Sequence, residues 1–223
     1  MADMSAFTPA ETEAARAAEE EGFYHESALN AAWTGSRLAI GGLVFLFACF
    51  AFAYFYLRSL NSAGRWANTG YRGPSTLLGT IIMLAMLTSA GVNYYGLQRI
   101  KAGHRTVWQA CGLAALILGL GVVIFQIIEL INLPFPPGSS GFASVFTGFY
   151  PVFVVVLVAG LIWLEILLVG SRSIPAISFV EQPPTFAEVR RVQRFQASLS
   201  SFSTFWSFLA LMALLFWFLF YAL

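Results

Sequence analysis

The chain has 223 residues, of which 58% are hydrophobic and only 10% charged, with a formal net charge of +1. A soluble domain carries about 25% charged residues to cover its surface, so a water-soluble enzyme is excluded, and the apolar content excludes a disordered chain. The near-neutral balance leaves nucleic-acid binding without an electrostatic basis.

Residues 1–36 form an acidic segment with Glu11, Glu13, Glu19, Glu20, Glu21 and Glu26 against Arg16, and without the apolar core of a secretory signal. Thr8-Pro9-Ala10-Glu11 and the Ala-rich sequence after it read in two ways: a capped short helix at the membrane surface, or a solvated acidic tail. Residues 37–223 read as a membrane domain. A bilayer core of about 30 Å needs about 20 apolar residues per helix, and runs of that order, uncharged except for Glu129 and Glu165 near two of their ends, predict spans near 38–57, 73–98, 106–130, 141–170 and 195–222. Helices satisfy their own backbone groups in lipid. The expected fold class is therefore all-α, a polytopic membrane protein built as a bundle of five transmembrane helices.

The Ile131–Ser140 loop is uncharged, and Pro134, Pro136, Pro137 and Gly138 make it a rigid turn. The Ser171–Arg194 loop holds Pro175, Pro183 and Pro184; Thr185-Phe186-Ala187-Glu188 after them reads as a capping box opening a short lead-in to the last span. With an inner N-terminus, the inner side holds Arg16, Arg37, Arg99, Lys101, Arg105, Arg172, Arg190, Arg191 and Arg194, and the outer side Arg58, Arg65 and Arg72. That bias predicts N-in, C-out. No internal repeat is evident.

Haem held by two histidines needs them on the spans, yet His25 and His104 both lie outside. Copper needs His, Cys and Met clusters, and Cys49 and Cys111 stand alone in apolar stretches, as small hydrophobes do. The chain is expected to bind no haem, copper, iron–sulfur cluster or other metal itself, and to have no catalytic residues. Glu129, at the end of the third span, and Glu165, about 10 Å before Arg172, are the acidic residues within the spans. They read either as a proton or ion site, beside Thr147, Tyr150 and the kink-forming Pro151, or as hydrogen-bonded to a neighbouring helix or to headgroups. The lack of a basic residue inside any span favours the second reading.

Small residues mark close helix contacts: Ala110, Gly112, Ala114, Ala115, Gly119 and Gly121 on the third span, Thr88 to Gly91 on the second, and Ala143, Ser144, Thr147 and Gly148 on the fourth. Aromatic residues surround the first span from Phe45 to Tyr56 and the last from Phe205 to Tyr221, which predicts helices facing lipid or another subunit. Trp33, Trp66, Trp108 and Trp163 fall where an aromatic belt would lie.

The segment Phe125-Gln126-Ile127-Ile128-Glu129, then Pro134-Phe135, then Gly141-Phe142-Ala143-Ser144-Val145-Phe146-Thr147-Gly148-Phe149 resembles subunit III of the haem–copper respiratory oxidases. That family has a Gln-x-x-Glu helix end, a short Pro-Phe loop and a Gly-Ser-x-Phe-x-x-Thr-Gly-Phe helix start. Ser75-Thr76-Leu77-Leu78, Thr88-Ser89, Gly103-His104-Arg105 and the Trp217-to-Tyr221 ending are weaker points of similarity. The likeness extends over roughly Arg37 to Tyr221, and five helices match the shorter bacterial form. Departures are clear. The first span lacks the family's intramembrane Glu, Tyr150 and Phe153 replace histidines, Tyr94-Tyr95 replaces a His pair, and the last helix lacks the family's His and Asp.

The resemblance implies a non-catalytic accessory subunit of a proton-pumping terminal oxidase of the cytochrome c oxidase type, in a bacterial cytoplasmic membrane. Subunit I would be its main partner, alongside other oxidase subunits and membrane lipid, with haem and copper on those partners. It implies bound phospholipid between helices and support for proton uptake on the inner face. Arg99, Lys101 and Arg105 are candidate headgroup contacts, or ordinary topology-setting charge. A nitric-oxide-reductase-associated relative shares the fold. The alternatives are a small secondary transporter using Glu129 and Glu165, or an assembly or scaffold membrane protein.

Overall fold

The structure, a computed structural model, describes residues 9–61, 66, 72–174 and 186–223. Five helices follow in order: α1 (Pro9–Ser59), α2 (Thr76–Lys101), α3 (Arg105–Ile131), α4 (Gly141–Gly170) and α5 (Phe186–Trp217), the last ending in a π-helical turn over Phe218–Ala222. Each is long and apolar enough to cross a membrane, over Trp33–Ser59, Thr76–Lys101, Arg105–Ile131, Gly141–Gly170 and Val189–Ala222. The protein is an all-α, multi-pass membrane protein.

The helix limits follow from capping chemistry. The second span begins three residues later than its uncharged run because Pro74-Ser75 stays extended and the Ser75 hydroxyl accepts from Leu78 N at 3.3 Å. Ser140 does the same for α4, accepting from Ala143 N at 3.0 Å, after a turn in which Gly138 takes φ +79°. At the start of the chain no separate surface helix forms. The Ala- and Glu-rich sequence continues without a break into the first span as one 51-residue helix, since nothing between Ala10 and Arg37 stops it. The proposed Thr8 cap and the Thr185 capping box lie outside the described residues. Before the first span, α1 meets the start of α5 at an ion pair, Arg190 to Glu21 at 2.9 Å.

α5 is the centre of the bundle and α1 its margin: the most apolar stretch of α5 is 44% buried, that of α1 only 11%. The aromatic ring of residues on the last span is therefore turned largely into the protein's own core. Trp206, Phe202 and Leu209 are fully buried, with Phe216 and Phe220 nearly so. On α1 the aromatics divide: Phe47 and Tyr54 point inward, while Phe45, Phe52, Phe55 and Tyr56 stay exposed.

Small residues make room for these rings. A Cβ on Gly160 would lie 2.7 Å from Trp206, and one on Gly119 would lie 2.7 Å from Leu161 and 2.9 Å from Trp206. Gly96 similarly admits Cys111 and the Trp108 ring, and Gly112 admits Leu168. Gly91 and Gly121 have open space beside them instead. The Trp206 indole donates to Ser89 Oγ at 3.0 Å, and Ser89 donates to the Ala115 carbonyl at 2.8 Å. This one relay joins α5, α2 and α3 in the core.

Trp108 is not a belt residue. It is fully buried, edge-on to Phe195 at 6.0 Å, because Gly96 leaves it a slot. Trp66 and Trp163 are also drawn inward, Trp66 against Tyr54 and Phe142, and Trp163 donating to Ser198 Oγ. Trp33 remains exposed under the Arg37 guanidinium.

Gly160→Leu should force Trp206 out of its slot and destabilise the bundle by about 1–3 kcal/mol, the usual cost of overpacking. Gly121→Leu, facing open space, should change little. Thermal unfolding of the two variants in detergent checks this.

Candidate functional site

Near the α3–α4 loop, the ends of α3 and α5 meet the first turns of α4 at a buried polar cluster. Gln126 and Glu129 lie one turn apart on α3, so both face the core, and each is 3% exposed. Tyr221, in the π-helical turn, donates to Glu129 Oε1 at 2.6 Å, and Tyr150 of α4 stands 2.5 Å from the Tyr221 hydroxyl. Since the Tyr221 proton goes to the carboxyl, Tyr150 donates to Tyr221, and the two phenols form a relay ending on Glu129. Among the described residues Gln126 Oε1 and Glu129 Oε2 are buried without a hydrogen-bond partner. Glu129 is therefore held within the chain, by a residue 92 positions away.

The surroundings position this relay. The i to i+5 backbone bond Leu223 N to Phe218 O, at 3.1 Å, marks the wide turn that carries Tyr221. Its ring lies directly on Gly79 of α2, where a Cβ would be 2.3 Å away. One helical turn earlier, Trp217 donates to Thr80 Oγ1 at 3.1 Å. Tyr150 stacks on Phe146 at 4.2 Å and Phe149 on Phe216 at 3.9 Å. A cavity of about 20 Å³ lies beside Gln126, Tyr150 and Tyr221, the size of one water molecule.

Of the other residues singled out from the sequence, Phe149 belongs to this core, at 3% exposure. Thr147 does not join the relay. Its hydroxyl turns back to the Ala143 carbonyl at 2.7 Å, and Pro151 removes the backbone donor that the Thr147 carbonyl would have. Thr147, Gly148 and Ser144 instead line an open groove of about 680 Å³ with Leu130 and Phe135. Gly148 also faces Phe50 of α1, at a distance where a Cβ would make ordinary contact.

At the opposite end, Arg105 donates to the Ser171 and Ile174 carbonyls, and Gln109 donates to Ser171 Oγ at 2.9 Å. Arg105 is thus spent on closing the end of α4 rather than held out for a headgroup. Arg99 is exposed, with Nε 2.7 Å from the Tyr95 hydroxyl, and Lys101 is exposed beside it. Glu165 is also exposed, on the outer face of α4 and far from Glu129. Cys49 and Cys111 are free thiols, and no three His, Cys, Asp or Glu side chains come together among the described residues. His104 is exposed at the start of α3.

Tyr150 and Tyr221 as partners of Glu129 were not predictable from spacing. The available signals were a Tyr next to Pro151 and a Tyr in an otherwise apolar last turn, and only packing connects them to α3.

Tyr221→Phe should strip the buried carboxyl of its donor and destabilise the protein by about 1–3 kcal/mol. Thr147→Val, which loses only a bond to its own helix, should stay within about 0.5 kcal/mol. The pair Tyr221→Phe with Glu129→Gln should be non-additive by about 0.5–3 kcal/mol in a double-mutant cycle. No known protein-family model matches the chain, and no curated protein matches it.

Proposed function

We propose that the chain is a cofactor-free accessory subunit of a haem–copper respiratory oxidase, packed beside the subunit that carries the haems and copper. One observation carries the reading. The sequence segments that resemble subunit III of those oxidases lie apart along the chain: Gln126 to Glu129, Thr147 to Phe149, and the Trp217 to Tyr221 ending. Yet Glu129 and Tyr221, from the first and last of these segments, are hydrogen-bonded, and Tyr150, which stands where that family has a histidine, joins them through Tyr221. In this reading the shared residues hold the helix ends together and perform no chemistry of their own.

The location is then a bacterial cytoplasmic membrane, with an inner N-terminus. The exposed aromatic and aliphatic faces of α1, α3 and α4 meet lipid and neighbouring subunits, and the groove along Thr147 and Gly148 takes a phospholipid chain. Arg99 and Lys101 face headgroups at the other end. A transporter reading has less support. Glu129 and Glu165 are separated along the bundle by buried apolar layers that include Met86, Val122, Phe153, Leu157 and Leu161. No buried polar chain links them among the described residues.

The test is purification of the native complex in mild detergent. It should contain this chain in fixed proportion with a haem-bearing subunit, and show reduced-haem absorption bands. Recovery of the chain alone, with no haem spectrum, overturns the proposal; sub-stoichiometric recovery points to an assembly factor. Glu129→Ala should loosen the subunit and hasten inactivation during turnover, while initial oxygen reduction continues in complexes that retain it. With Cys49 and Cys111 replaced by Ala, Pro137→Cys should react with an impermeant maleimide from outside and Ala102→Cys only after the membrane is opened.

A further inference from the structure

Glu165 is the anomaly on the outside of the bundle. It is exposed on α4, and among the described residues it has no hydrogen-bond or ion-pair partner. Its neighbours on that face are Val155, Val158, Ile162, Ile166 and Val169, all exposed. Their spacing of three and four residues makes one continuous stripe along the helix, interrupted by a single carboxyl.

Depth and direction make the carboxyl costly in lipid. The Gln109 to Ser171 bond and the Arg105 bonds set Ser171 level with the first turns of α3. Glu165 lies six residues further in, about 9 Å along the axis. Cα–Cβ bonds tilt toward a helix's N-terminus, and the N-terminus of α4 is at the distant, Glu129 end. The side chain therefore leans toward the middle of the bilayer and away from the nearer headgroups. Arg172, two turns on, makes no ion pair with it. Ionisable side chains at such depth face a protein partner or water-filled space, because hydrocarbon does not solvate them. Beside the stripe, Gln109, Ala110, Leu113, Leu168 and Arg172 line a groove of about 240 Å³ between α3 and α4, wide enough to take a large side chain.

We infer that this face of α4 is an interface seated against a transmembrane helix of another subunit, and that the helix presents a lysine or arginine to Glu165. Charge complementarity selects the occupant. An apolar helix or an acyl chain would cover Val155 to Val169 equally well, but neither compensates the carboxyl. The helix and its cation follow from α4 alone; that the subunit is the haem-bearing one rests on the function proposed above.

The test places a photo-cross-linking amino acid at Ile162 or Ile166 in the full chain, within the native complex, and maps the linked peptide by mass spectrometry. The expected product joins a different chain, on a membrane helix with Lys or Arg within one turn of the link. Glu165→Leu should speed release of the subunit in detergent at least about thirtyfold, in line with truncating one member of a desolvated pair, without altering this chain's own thermal unfolding. Glu165→Lys combined with Lys→Glu or Arg→Glu at the mapped cation should restore the slow release. Cross-links to lipid only, to a second copy of this chain, or to a helix without a cation overturn the inference, as does failure of the charge exchange. If the mapped chain carries no haem, the oxidase reading falls while this inference stands. If haem co-purifies but Ile162 and Ile166 capture only lipid, the reverse holds.

Discussion

The bundle depends on how one indole is accommodated. Trp206 sits at the level where α2, α3, α4 and α5 are all adjacent, and it fits because Gly119 and Gly160 present backbone instead of side chain. Its N–H is not left unpaired: it reaches Ser89, which passes the bond on to the Ala115 carbonyl. In lipid there is little hydrophobic drive between helices, so close packing and a few satisfied polar contacts must hold them. Here a large ring supplies the packing and its single donor supplies the contact. Replacing either glycine changes the spacing of several helices at once.

A second contact closes the Glu129 end. Glu129, Tyr221 and Tyr150 bind the ends of α3 and α5 to the third turn of α4, and Gly79 lets α2 lie directly on the Tyr221 ring. The other end is closed differently, by Arg105 bonded to the carbonyls of Ser171 and Ile174. Between these ends the core is mostly aromatic and aliphatic, with Phe47, Phe149, Phe153 and Phe216 in mutual contact and with Ser89, Asn93, Ser201 and Ser203 as isolated buried polar residues. Polar groups therefore act as clasps at separate levels. This arrangement suits a rigid support better than a pathway for ions, which needs polar groups continuous from one side to the other.

The bundle leaves much of its surface outside the core. α1 gives few of its residues to the core, and α3 and α4 leave long aliphatic faces outside. Lipid satisfies most of that surface without cost. The exception is Glu165, and a single carboxyl on an otherwise uniform apolar face distinguishes a specific neighbour from solvent hydrocarbon.

The sequence alone determined the class and the number of spans, because hydrocarbon thickness and the cost of charge act locally and leave a mark in every uncharged run. The resemblance also singled out Gln126 and Glu129, which one helical turn places on the same face of α3. The sequence misjudged α5, whose bulky aromatics resemble a lipid-facing helix until Gly119 and Gly160 on other helices are seen to receive them. It misplaced Trp108 for the same reason, with Gly96 as the hidden partner. A short surface helix, one of the two readings of the first residues, proved to be part of α1, since helix propensity has no term that ends a helix at a membrane boundary. Only the tertiary structure decided that Glu129 is bonded to Tyr221 while Glu165 faces outward. Both are single acidic residues in apolar helices, and what separates them is which neighbouring helix each one faces, a relation between segments that no local pattern encodes.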